Sequence, residues 1–261
     1  MSEDEALLRG VIDRPGDDTA RLVYADWLDE RDDPRGAYLR AEREAAATGD
    51  ASRLTELAIG LDPVWVARVT LSPLGVCLNE GTLTDRGAPI TRSDIARVEG
   101  QLGVHFPPDY VAFLLNYNGG WIGLPNLVLP SGEEAPSSDG GWRLSPLLRV
   151  SRFSLREGDL IPTEGILHFP PPPEPLTNWL ARVVCIGRDP DHIGGIFLSV
   201  CEPDVGQVRV LDTSIELEVS FRYNSQYQPS GITFTEFLSG LPRSVWSYPP
   251  TTVDDDDAIP F

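Results

Sequence analysis

Apolar residues recur at helical spacing over the first sixty positions. Ala6, Leu7, Leu8, Val11 and Ile12 form one stripe, which Pro15-Gly16 interrupts. Asp17 or Asp18 is placed to cap a second helix, whose buried face the pattern assigns to Leu22, Val23, Trp27 and Leu28. Asp32-Asp33-Pro34 breaks the pattern again. A third helix is predicted over 34–47, closed by Thr48-Gly49-Asp50, and a short fourth around 53–59.

The spacing changes over 63–90. Val64, Trp65, Val66 and Val69 fit helix and strand equally, and Pro73 and Gly75 interrupt a β-rich run. This reads as a structured connector with one or two short strands, because a free linker would not carry so many large apolar residues.

Helical spacing returns between 90 and 121. Thr91 with Asp94 is a capping-box pattern, and Ile95, Val98 and Leu102 share one face. Gly103 is placed to end that helix in a left-handed conformation. Pro108 suits the first turn of the next helix, in which Tyr110, Val111, Phe113, Leu114, Leu115 and Tyr117 are apolar on most sides. Asn118-Gly119-Gly120 ends it with residues that tolerate positive φ.

Strand patterns follow. They are predicted over 121–129 (broken at Pro125), 165–169, 182–186, 196–201, 207–211 and 216–221, with a short strand or helical turn over 144–153 and a closing helix over 233–241. Residues 131–141 read as an exposed loop, Pro170 to Pro175 as an extended excursion, and 187–195 as a loop. Four consecutive acids, Asp254 to Asp257, repel one another and predict a disordered tail over 243–261.

The ordered set Thr91/Asp94, Leu102-Gly103, Phe106-Pro107-Pro108-Asp109-Tyr110, Phe113-Leu114 and Asn118-Gly119-Gly120 resembles the opening of the SUKH superfamily. That superfamily holds the yeast Smi/Knr cell-wall regulators and many bacterial immunity proteins. Val184 to Gly187, Asp189, Gly194-Gly195 and the apolar strand after them resemble its central strand–turn–strand, and 232–241 its closing helix. The proline run and Cys201-Glu202-Pro203-Asp204 depart from the pattern. A second resemblance precedes it. Leu7-Leu8, Pro15 to Asp18, Arg21-Leu22-Val23-Tyr24-Ala25-Asp26-Trp27-Leu28 and Asp33 to Arg40 resemble a small bacterial repeat-companion domain. This implies attachment to other modules and little about function. Arg21 and Asp26 are a candidate pair across its bundle. The resemblances imply an α+β chain: a small helical domain over 1–62, the connector over 63–90, a SUKH-type domain over 91–242 with helices packed on a mainly antiparallel, twisted sheet, and the tail.

Charge narrows the partners. The 261 residues carry 40 acidic and 21 basic side chains, a net charge of −19, and every basic residue is Arg. Such a balance disfavours nucleic acid and anionic membranes and favours a basic protein partner. No run approaches a membrane span, and the acidic start does not read as a secretory signal, so a cytoplasmic location is expected.

Candidate chemistry is sparse. Cys77, Cys185 and Cys201 are odd in number, far apart and set among apolar neighbours, which suits reduced core thiols. His105, His168 and His192 show no metal-ligand spacing, and a pairing of His192 with Cys185 or Cys201 would need a thiolate in an apolar strand. Asp189 and Asp191 could hold a cation in their glycine-rich loop, but a solvated turn is the simpler reading. No catalytic, cofactor or metal residues are therefore assigned, although acids in a cleft would revive an enzyme. The SUKH resemblance implies a non-enzymatic binding module, foremost an immunity-type protein that neutralises a basic, nuclease-like toxin. The alternative is a regulatory or scaffold adaptor with no toxin. Aromatic anchors and acids form the candidate binding set: Trp121, Trp142, Asp189, Asp191, Glu216 and Glu218.

Overall fold

Short polar residues start the helices. Ser2 caps α1 (Glu3–Asp13), Asp17 caps α2 (Asp18–Asp29) and Asp62 caps α5 (Pro63–Val69), each accepting a first-turn backbone N–H. Between them lie α3 (Arg35–Thr48) and α4 (Ser52–Ala58). The computed structural model of the chain describes residues 2–48, 50–123, 141–147, 151–152, 181–188, 194–212 and 232–239. The expectations for 124–140, the proline run, 165–169, 189–193, 216–221 and the tail lie outside the described residues.

Two expectations for the amino-terminal helices are corrected. The buried stripe of α2 is Arg21, Tyr24, Ala25 and Leu28, whereas Val23 is half exposed. The helix is rotated about its axis because Arg21 turns inward, which its charge alone argued against. Arg21 does not pair with Asp26. Its guanidinium meets Glu42 of α3 inside the protein, and Asp26 pairs with Arg40 at the surface. In the connector, where the spacing fits helix and strand equally, 63–69 is the helix α5, with Val64, Trp65 and Val69 buried. A strand, β1 (Leu83–Thr84), forms only later.

The stretch after 90 folds as its pattern predicts. Thr91 and Asp94 make a reciprocal capping box on α6 (Arg92–Leu102), and Gly103 ends it at φ 63°. Pro108 opens α7 (Pro108–Tyr117), whose C-cap Asn118 has φ 50°. The remaining strands are β2 (Gly120–Gly123), β3 (Gly141–Leu144), β4 (Ser151–Arg152), β5 (Val183–Arg188), β6 (Gly194–Ser199), β7 (Gln207–Asp212) and β8 (Ile232–Thr233). A second capping box, Thr233 with Glu236, starts α8 (Phe234–Leu238).

The strands form one antiparallel sheet in the order β1-β2-β3-β5-β6-β7-β8, with β4 also pairing to β5. A register shift between Cys185 and Gly187 marks a bulge in β5. Leu83, Ile122, Leu144, Val184, Ile186, Ile196, Leu198 and Val208 bring the sheet into one apolar cluster with α6, α7 and α8. The ring of Phe234 packs edge-on against Tyr110 and Phe113, with centroids 5.1 and 5.3 Å away. The same cluster continues without a break into Leu8, Ile12, Leu28, Leu39 and Trp65 of the amino-terminal helices. The architecture is α+β, with helices on an antiparallel sheet. No described helix is long and apolar enough to cross a membrane.

Candidate functional site

The exit from α7 fixes the surface that follows it. Asn118, Gly119 and Gly120 have φ of 50°, 88° and 143°, a path that Asn and Gly follow at low cost. Space demands glycine as well. A Cβ on Gly119 would lie 2.7 Å from the Pro146 nitrogen, and one on Gly120 would lie 2.8 Å from the Thr84 carbonyl oxygen. Asn118 then ties three segments together. Its Nδ2 donates to the Ala88 carbonyl at 2.7 Å, and its Oδ1 accepts from the Leu147 backbone N–H at 2.8 Å.

This turn delivers Trp121 to the middle of three strands. Trp121 is in register with Thr84 on one side and Arg143 on the other. Directly paired residues share a face of a sheet. Thr84 and Arg143 are exposed and Trp121 is half-buried, whereas Leu83 and Ile122, one residue out of phase, are buried. The row is anchored by an ion pair between Arg143 and Asp85, 2.5 Å apart. The result is an aromatic ring flanked by a hydroxyl and a held guanidinium, a combination suited to protein recognition.

Trp121 is the sequence-predicted candidate whose side chain the structure places. Trp142 belongs to β3 and its backbone is in register with Ile122, but its side chain lies outside the described residues. Asp189, Asp191, Glu216 and Glu218 also lie outside them. Sequence reasoning missed Arg143 and Asp85. Their link spans 58 positions, and no local pattern carries it.

The motif residues of α7 are structural. Tyr110 is buried with its hydroxyl bonded to nothing, and burial raises its pKa. Burial also raises the carboxyl of Asp109, against the bond it accepts from the Tyr110 N–H. Replacing Tyr110 by Phe removes a buried hydroxyl that has no partner, so the variant is expected to be as stable as the parent or more stable, within about 1 kcal/mol. Urea unfolding checks this; a loss above 2 kcal/mol would mean that the hydroxyl makes a bond.

Among the described residues no group of three or more His, Cys, Asp or Glu side chains could hold a metal ion. The Cys77 thiol is fully buried, and burial pushes its pKa up to about 11, so it stays protonated. His105 is exposed in the turn before α7. The remaining Cys–His candidates require His192, which lies outside the described residues.

The sequence pattern of the SMI1 / KNR4 family (SUKH-1) matches residues 89–240. The chain belongs to that family. The match begins just before the Thr91 cap of α6 and ends after α8, so it takes in the capping boxes, the α7 exit and all strands but β1. SUKH-1 domains are generally immunity-type protein-binding modules and are generally non-enzymatic. No curated protein and no solved structure matches the chain.

Proposed function

We propose that this SUKH-1 protein is an immunity-type partner that binds and neutralises a basic, nuclease-like toxin in the cytoplasm. The surplus of 40 acidic over 21 basic side chains, in a family of protein-binding modules, carries the reading. A nuclease presents a cationic surface to phosphate, and an acidic partner both steers towards that surface and competes for it. In this reading Trp121 is the anchor and Asp189, Asp191, Glu216 and Glu218 supply the charge, with Trp142 as a second anchor.

The test starts from a pull-down with the intact chain at low and then moderate salt. The captured protein is then purified and assayed for nuclease activity with and without the chain. A basic nuclease, inhibited at one-to-one stoichiometry, is the expected result. Trp121→Ala is expected to weaken binding by about 10- to 100-fold, as an interface aromatic does, while leaving the unfolding midpoint within a few degrees. Reversing the four acids to Arg should slow association and weaken its salt dependence. Unchanged binding after the reversal would refute the electrostatic part of the proposal. Capture of a partner that is neither basic nor toxic would favour the adaptor reading instead.

A further inference from the structure

The family pattern begins at residue 89, yet the last turn of α7 is completed by residues that precede it. A helix leaves its final carbonyls without partners inside the helix. In α7 the carbonyls of Leu115 and Asn116 accept the two ends of the Arg9 guanidinium, at 2.9 and 3.0 Å. A cation there also faces the negative end of the helix dipole. Asn116, 4% exposed, is satisfied wholly by Arg68 of α5. Its Oδ1 accepts from Arg68 Nε at 2.9 Å, and its Nδ2 donates to the Arg68 carbonyl at 3.0 Å. The rest of the Arg68 guanidinium forks onto Glu5 of α1, at 3.0 and 3.3 Å. The Tyr117 hydroxyl accepts the Leu78 backbone N–H at 2.9 Å. Arg86 lies 4.7 Å over the Tyr117 ring and reaches Asp13 of α1.

We infer that residues 2–78 are a structural half of the SUKH-1 fold in this chain and unfold with it as one cooperative unit. They are not a separately folded module on a tether. Two independent observations carry this: the polar clasp of Glu5, Arg9 and Arg68 on the end of α7, and the single apolar cluster running from Leu8 to Leu238. Separation of the halves would leave buried groups of Asn116 and Tyr117 unpaired and split the core, both unfavourable. The inference stands whatever the partner is.

Hydrogen exchange on the full chain tests it. In one cooperative unit the slowest amides of α2 and of β5 and β6 share a single opening equilibrium. Leu28→Ala, at a fully buried position of α2 that takes no part in the clasp, is then expected to speed exchange in α2 and in β5 and β6 by the same factor, roughly 30-fold or more. Arg9→Ala, a milder change at a partly exposed side chain, is expected to speed both regions equally by about 3- to 10-fold, as loss of one or two hydrogen bonds does. It serves the same comparison if Leu28→Ala lowers stability too far. Faster exchange in α2 with unchanged protection in β5 and β6, in either variant, overturns the inference. So does a parent chain whose α1 to α3 amides open tenfold or more readily than the sheet.

Discussion

Glu42→Ala is expected to cost about 3–5 kcal/mol, because it strands a buried guanidinium. Glu42 and Arg21 are 5% and 3% exposed. One Glu42 oxygen pairs with Arg21 Nη1, and the other accepts the Leu71 N–H at 2.8 Å. Arg21 also donates to the Val69 carbonyl at 2.9 Å, while its Nε has no partner. Alanine at 42 would leave Arg21 charged, dry and held only by the Val69 carbonyl and the weak acceptor Cys77 Sγ. Burial raises the Glu42 pKa despite the opposing attraction of Arg21. A pair of this kind is damaging to break and cheap to replace. The double variant Arg21→Met with Glu42→Gln, which keeps an acceptor for Leu71, is expected to recover most of the loss. The pH dependence follows from the same shift. The folded state binds the Glu42 proton more tightly than the unfolded state, whose value is 4.5. Stability drawn from this group therefore falls as pH rises from about 4.5 through the raised folded value, and Glu42→Gln removes that slope. Urea unfolding across pH measures both effects. A loss below 1 kcal/mol for Glu42→Ala would show that water reaches Arg21.

Asn118→Ala is the second large effect, about 2–4 kcal/mol. Alanine would lose both side-chain bonds, to Ala88 and Leu147, and would hold a methyl-bearing residue at φ 50°. Asn118→Gly separates the two contributions. It relieves the backbone and still lacks the amide, so its stability should fall between the parent and Asn118→Ala. Full recovery with glycine would assign the whole effect to the left-handed backbone. Because the turn sets the start of β2, exchange at the amides of Gly120–Gly123 should also rise in Asn118→Ala.

The parts legible in the sequence were those decided locally. Thr91 with Asp94, Gly103, Pro108 and Asn118-Gly119-Gly120 each act within a turn of their own position, and each takes its predicted role. The phase of α2 was not legible, because Arg21 is drawn inward by Glu42, 21 residues away on another helix. The helix α5 was hidden by its length, since seven mostly apolar residues fit a strand as well. Of the candidate binding set, Trp121 is the residue whose side chain the structure describes. Its neighbours Thr84 and Arg143 reach it through strand register, which depends on partners from across the chain and has no signature in any one segment.

The outer strand beside Trp121, β1, is two residues long. A guest chain that joins a sheet by extending it needs a ladder of free backbone groups several residues long. The β1 rim provides none. A visitor to the strand beside Trp121 must therefore be read through side chains on the flat of the sheet, where a single substitution changes who is admitted. Close relatives of this chain can then diverge in partner by exchanging a few surface residues, with the backbone left as it is.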